Sequence, residues 1–350
     1  MQHNLHNPAE TTVLVTGIGG FLAGHIALQL LQKGYRVRGT VRDLARSAAI
    51  EQRLKKALGR ETTGLSFVAA DLLHDKGWDQ AVAACTYVIH AASPFPDALP
   101  KHEDDLIRPA REGSLRVLQA AQRAGVSRVV LTSSIAATNY GRGQAPYTEE
   151  DWTDVEGPTA TPYYKSKTLA EQAAWAYARE SGLELAVINP SLMLGPLLDK
   201  KAGTSVEIVR KLLCGEFPAL PRFGISVVDV RDVADIHLRA MLAPEAAGQR
   251  FIAGGRFMWM SELAAILRDE FPAYANKLPR WTLPDWFVRI YACFDAQIRL
   301  ILKELGRDRT VDATKARNVL GWQPRREEEA IRASAQSLID FGLVPAAGRK

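Results

Sequence analysis

The chain has 350 residues and carries 44 basic against 39 acidic side chains, a net charge of +5. Apolar residues make up 47% and charged ones 24%, the balance of a globular protein with a sizeable buried core. The charges are scattered with no Lys/Arg block, which argues against a nucleic-acid surface, and no stretch reaches the ~20 apolar residues of a membrane span.

The first ten residues, MQHNLHNPAE, are polar and carry no apolar run, so no secretory signal is expected. Cys85, Cys214 and Cys293 are odd in number, far apart and without a C-x-x-C pattern. Neither a disulfide framework nor a metal site is expected from them, and three reduced thiols suit a cytoplasmic location.

In chain order, Thr12–Thr16 (TVLVT) reads as a buried strand, and Leu22, Ile26 and Leu30 then recur at helical spacing up to Gly34, a C-terminal cap. Further strands are expected at Arg36–Val41, Leu65–Ala69, Tyr87–His90, Arg128–Leu131 and Leu185–Ile188. Helical patterns lie between them, Asp105–Ala124 among them. Such β-α-β alternation predicts an α/β, Rossmann-type, doubly wound parallel sheet over residues 1–190. After Pro190 prolines and aromatics become denser (FPALPRF, LPRWTLPDWF), so residues 191–350 are expected to be mainly a smaller, interleaved substrate-binding region. Val227–Met241 again reads as strand then helix, which predicts that 225–245 returns to the first domain.

The first strand runs into TGIGGFLAGH and then a helix. Gly17 and Gly20 allow a tight turn and close approach of backbone to a pyrophosphate, with Phe21 and Leu22 opening the helix whose free N–H groups favour an anion. The second strand ends GTVRD. A carboxylate there would hold the ribose 2′-hydroxyl of NAD, whereas arginine matches the 2′-phosphate of NADP. Arg42 comes first past the strand and Arg46 adds a second guanidinium, which favours NADPH. The alternative is that both arginines are surface residues and Asp43 binds the ribose.

Thr161 fits a helix N-cap and Pro162 the first helical position, so Tyr163 and Lys167 fall one turn apart on one face. A phenol with its ordinary pKa of ~10 donates protons poorly at neutral pH, and a nearby ammonium stabilises its phenolate. Tyr163 can then protonate a substrate oxygen, with Lys167 tuning it and holding the nicotinamide ribose. Strand five ends LTSSIAATN, which brings Thr132, Ser133 and Ser134 to the carboxyl edge of the sheet, where ligands bind in such folds. Tyr163 is chosen over Tyr164 because only Tyr163 has a lysine four residues on.

These motifs resemble the extended short-chain dehydrogenase/reductase family. Within it, GYRVRGTVRD, YVIHAASPF, LTSSIAATN, YTEEDW, YYKSKTLAEQAAW, INPSLMLGP and VLGWQP are similar to the dihydroflavonol reductase, cinnamoyl-CoA reductase and aldehyde reductase branch. The resemblance spans Thr11 to Gln336. It departs at Ala23, where the family usually has a third glycine, with Gly24 following. It also departs at Ala110, where many members carry an asparagine on a water relay to the lysine.

The resemblance implies that Ser134 is the catalytic serine and that Asp71, with Leu72 beside it, stands at the adenine. By it, Ala91, Ala92 and Ser93 line the cofactor cleft, Pro190 and Ser191 approach the nicotinamide, and Asn139 matches a position contacting substrate hydroxyls. A capping role for Asn139 remains the alternative.

Phe95, Tyr140, Phe223, Phe257, Met258 and Trp259 border an apolar pocket on this reading. Trp281, Trp286, Phe287, Tyr291 and Phe294 form a second aromatic group, and aromatics at helical spacing are more often core than ligand contacts. The expected function is NADPH-dependent reduction of a moderately apolar aldehyde or ketone, aromatic or aliphatic, by a monomer or homodimer, with no metal, membrane or nucleic acid involved. Two alternatives share part of the pattern: a nucleotide-sugar epimerase or dehydratase holding NAD, against which Arg42 speaks, and a non-catalytic NADP sensor, which would not need the Tyr163/Lys167 pair.

Overall fold

The computed structural model describes residues 7–93, 102–141, 143–157, 159–200, 203–292, 299 and 301–346. The strands of the main sheet are β1 (Thr12–Val15), β2 (Arg36–Val41), β3 (Leu65–Ala69), β4 (Tyr87–His90), β5 (Arg128–Thr132), β6 (Leu185–Pro190) and β9 (Arg250–Ala253). They lie in the order β3-β2-β1-β4-β5-β6-β9 with all neighbours parallel. The chain order reverses between β1 and β4, which opens a crevice at the carboxyl ends of those strands.

Side chains alternate across each strand, so both faces can be apolar only if both are covered. Val13, Val15, Ile89, Val130, Ala186 and Ile188 point to one face, where α1 (Phe21–Gln32), α2 (Ser47–Leu58) and α7 (Val230–Leu242) pack. Leu14, Val88, Val129, Leu131, Leu185 and Val187 point to the other, beneath α3 (Trp78–Val82), α4 (Asp104–Arg123) and α5 (Pro162–Ser181). Trp78 and Phe251 are among the largest fully buried side chains.

A second, three-stranded sheet is built from β7 (Leu192–Leu194), β8 (Gly224–Asp229) and β10 (Phe257–Trp259) in the order β10-β8-β7. Its apolar core draws on α6 (Glu207–Cys214), α8 (Met260–Glu270) and α11 (Glu327–Asp340). Between these run α9 (Asp285–Tyr291) and α10 (Thr314–Leu320). Segment 225–245 divides: its strand, β8, belongs to the second sheet, whereas its helix, α7, packs on the first. The strand that returns to the main sheet is β9, which has no foreseen counterpart. Among the described residues no helix is long and apolar enough to cross a membrane, and no group of three His, Cys, Asp or Glu side chains could hold a metal ion.

Candidate active site

The turn after β1 lies at the switch point. Gly17 has φ +63°, and a Cβ there would sit 3.0 Å from the Ala92 Cβ, so the turn accepts only glycine without strain. Its amide donates to Thr40 Oγ1 at 2.8 Å. Gly20 is the N-cap of α1, brings no capping side chain, and α1 has no acidic residue in its first turn. Phe21 and Leu22 open that helix, and Ala23 is buried within it. From beneath, the buried Arg53 guanidinium donates to the Ile18 and Gly19 carbonyls at 3.0 and 3.3 Å and pairs with Asp199 at 2.8 Å. Arg53 has no sequence motif, and the sequence reading missed it.

Past β2, Arg42 and Arg46 are exposed and have no partner among the described residues, which leaves both guanidinia available to an anion. Asp43 is engaged locally: its carboxylate accepts from the Ala45 amide at 2.9 Å and caps the following turn. Asp71 does the same for the Leu73 amide at 3.0 Å, and the Leu72 carbonyl accepts from Arg116 at 3.0 Å.

At the end of β4, the Ala92 amide donates to Thr16 Oγ1 at 2.9 Å. The Thr16 hydroxyl proton is thereby turned toward His90 Nδ1, 2.8 Å away. Burial holds His90 neutral, lowering its pKa to about 3, and its Nε2 has no partner among the described residues. Ala91 is half-buried against the core and Ser93 is exposed.

At the end of β5, Thr132 meets His237 Nε2 at 2.7 Å. His237 Nδ1 donates to the Val233 carbonyl at 2.7 Å, so Nε2 is the acceptor and Thr132 the donor. Ser134 follows in extended backbone, and its Oγ accepts from the Ala136 amide at 3.1 Å.

The Thr161 hydroxyl oxygen accepts from the Tyr164 amide at 3.3 Å and Pro162 occupies the first turn, which starts α5 in the register that presents Tyr163 and Lys167 together. Tyr163 and Ser134 share a side-chain hydrogen bond. Burial raises the Tyr163 pKa above its ordinary value, and the Ser134 hydroxyl opposes that by favouring the phenolate. Lys167 Nζ stands 6.0 Å from the Tyr163 ring centroid and donates to Ser93 Oγ at 3.1 Å. Burial lowers the Lys167 pKa to about 8, and the nearby Glu171 carboxylate opposes that fall. Tyr164 turns away, its ring stacked 3.6 Å from that of Tyr140, with its hydroxyl pushed up to about 12.

Pro190 closes β6, and Ser191 is buried with a hydroxyl that has no partner among the described residues. Asn139 is 1% exposed. Its amide nitrogen donates to the Arg309 carbonyl at 3.4 Å, and Arg309 returns a bond to the Asn139 carbonyl at 2.8 Å. The Asn139 side-chain oxygen Oδ1 is buried and has no partner among the described residues.

Of the expected pocket residues, Tyr140 and Met258 are buried, while Phe223, Phe257 and Trp259 are half-buried. Phe95 and Phe294 lie outside the described residues, as does the side chain of Tyr291. Trp281, Trp286 and Phe287 are 79%, 63% and 43% exposed, so these three are not core.

Residues 13–254 match the NAD dependent epimerase/dehydratase family. The chain belongs to that family. This extended short-chain dehydrogenase/reductase is 36% identical to the dihydroflavonol 4-reductase of Zea mays over 271 residues, 75% of each chain. It is 38% identical to cinnamoyl-CoA reductase 1 of Petunia hybrida over 269 residues, 75% of this chain and 78% of that one. It also resembles the crystal structure of yeast methylglyoxal/isovaleraldehyde reductase Gre2 complexed with NADPH. That likeness has a TM-score of 0.77 at 28% identity and covers 95% of this chain and 99% of that one. The extended short-chain dehydrogenase/reductase is accordingly an oxidoreductase acting between C=O and CH–OH groups. A dinucleotide fits the residues present: a Cβ-free cradle at Gly17 and an uncapped helix start at Gly20 follow β1, and the buried Ser191 hydroxyl after β6 has no partner among the described residues.

Proposed function

We propose that the enzyme reduces a moderately apolar aldehyde or ketone to the alcohol with NADPH, and that Tyr163 is the proton donor. One observation carries the reading: the side chains of Ser134 and Tyr163 are hydrogen-bonded, with Lys167 at their side, at the sheet edge beside the Gly17 turn. Gly17, Gly20, Phe21 and Leu22 would hold the pyrophosphate, and Arg42 and Arg46 the 2′-phosphate. Asp71 and Leu72 would flank the adenine, and Ala91, Ala92, Ser93, Thr132, Pro190 and Ser191 would line the nicotinamide half. When bound, the dinucleotide supplies the hydride.

The protein's own part is to place the carbonyl and to deliver the proton. Ser134 and Tyr163 donate to the substrate oxygen and so polarise the C=O bond. Tyr163 passes its phenolic proton to that oxygen as negative charge develops there. Lys167 stays an ammonium below pH about 8 and steadies the phenolate left behind. The relatives' printed substrates, a dihydroflavonol, a cinnamoyl thioester and small aldehydes, all present a carbonyl, which supports the same class here.

The test is absorbance at 340 nm with a panel of aldehydes and ketones, run with NADPH and NADH side by side. Oxidation of NADPH that depends on a carbonyl, and exceeds the NADH rate by about tenfold or more, is expected, since a guanidinium–phosphate contact contributes roughly 1.5–3 kcal/mol. Tightly held NAD that copurifies with the protein, without carbonyl-dependent turnover, would favour epimerase or dehydratase chemistry instead.

A further inference from the structure

Glu171 follows Lys167 by one helical turn and Tyr163 by two, so the three share a face of α5. Its side chain has no exposure. The carboxylate accepts from Ser133 Oγ at 2.6 Å, Asn189 Nδ2 at 2.8 Å, Arg250 Nε at 2.6 Å and Trp175 Nε1 at 3.2 Å. These bonds tie α5 to the ends of β5 and β6 and to β9. The same Asn189 nitrogen donates to the Ser134 carbonyl at 3.1 Å, so the carboxylate also fixes the backbone that carries Ser134. Arg250 is braced in turn by the Glu149 and Asp151 carbonyls at 2.7 and 3.0 Å and by the Trp152 ring, 3.8 Å away.

Burying such a pair is costly, and an apolar pair of equal volume commonly holds elements together at least as well. Cohesion alone therefore does not account for the charges. A second observation does: a chamber of about 20 Å³ is lined by Lys167 and Glu171 together, with Ser93, Ala110, Ser114 and Ser133. That is room for one water. The small Ala110 side chain thus borders a space shared by the ammonium and the carboxylate.

We propose that Glu171, braced by Arg250, is a positioning residue that keeps Lys167 charged beside Tyr163 and holds Ser134 in line. The proposal rests on the carbonyl-reductase reading. The groups facing Lys167 are Tyr163 and Glu171 from α5, His90 from the end of β4, and the hydroxyls of Ser93, Ser114 and Ser133. His90 is neutral and Tyr163 a phenol at ordinary pH, so Glu171 brings the full opposing charge among these. Arg250 makes its contacts to Glu171 and not to Lys167.

The experiment compares wild type, Glu171→Asp, Glu171→Gln, and Glu171→Gln combined with Arg250→Met, across pH 6–10. Two readouts are taken: the NADPH dissociation constant by fluorescence, which reads the Lys167 charge without turnover, and kcat/KM for one aldehyde. In wild type both weaken as pH rises through about 8. In both glutamine variants the midpoints move down by about one pH unit, since removing a facing charge shifts a buried ammonium on that order. At pH 6 their NADPH affinity stays within about twofold of wild type, because Lys167 is still protonated there. Glu171→Asp keeps the charge and restores most of the midpoint. Should the single glutamine variant fail to fold, the double variant, which also removes the Arg250 guanidinium that Glu171 pairs, carries the same expectation.

Midpoints that stay at the wild-type pH while kcat falls equally at every pH would overturn the proposal and leave Glu171 a merely structural residue. Wild-type protein that binds NADPH with a pH midpoint but turns over no carbonyl would instead defeat the reductase reading, with the binding midpoints still deciding this one.

Discussion

Lys167 shows how single residues of the site work. Its burial favours the neutral amine, the Glu171 carboxylate favours the ammonium, and the balance lies at about 8. The ammonium therefore persists at neutral pH and disappears as pH rises through that value. Tyr163 and Lys167 were legible in the sequence because a four-residue spacing on a capped helix fixes which side chains share a face. The end of β5 brought both Ser133 and Ser134 to the sheet edge, and only the family resemblance singled out Ser134. Glu171 has the same spacing from Lys167, but its partners Ser133, Asn189 and Arg250 lie 38, 18 and 79 positions away, and no local pattern joins them. Thr16 with His90, and Thr132 with His237, are similar: each bond closes across 74 or 105 residues of chain. The Asn139–Arg309 bonds likewise close across 170 positions, which no local pattern announces.

At the scale of elements, the six strands expected from β-branched runs formed within two residues of their expected ends. Buried parallel strands declare themselves as short continuous apolar runs. β9 is only RFIA, and β7 and β10 have three residues each, too short for any periodicity to show. Sheet membership was also unreadable for β8, because a strand's own pattern does not say which neighbour it pairs with.

The turn between β1 and α1 gives this scale its prediction. Gly17→Ala places a side chain at φ +63° and within 3.0 Å of the Ala92 Cβ. The left-handed conformation alone costs about 1–2 kcal/mol for a residue with a Cβ. A melting temperature lower by at least about 2 °C and NADPH binding weakened by about tenfold or more are expected from thermal melts and fluorescence titration. Unchanged values in both would show that the turn does not need glycine.

Across the whole molecule, Arg53 fastens the phosphate turn to Asp199, which follows β7 of the second sheet. Among the described residues three histidines are buried. Burial is the main cause that lowers His25 to about 4, His90 to about 3 and His237 to about 4, from 6.5. All three have folded pKa values below the unfolded value. The unfolded chain therefore takes up protons between pH 6.5 and about 4 that the folded chain refuses, and stability falls as pH falls through that window. The slope approaches about 4 kcal/mol per pH unit when three such protons are linked. Urea midpoints measured from pH 8 to 4.5 should be level above 7 and decline below 6.5. A level midpoint down to pH 4.5 would mean that these imidazoles are not held neutral by the fold. Trp281, Trp286 and Phe287 mark the other whole-molecule feature, an aromatic surface that helical spacing alone assigned to the core.

The account as a whole depends on Tyr163 giving up its proton to the substrate. The most direct measurement is a Tyr163→Phe variant followed in parallel by NADPH fluorescence titration and by carbonyl-dependent absorbance loss at 340 nm. The account predicts NADPH affinity within about threefold of wild type and turnover reduced by about 10²-fold or more, the usual contribution of a positioned proton donor. Turnover within a few-fold of wild type at unchanged affinity would contradict it.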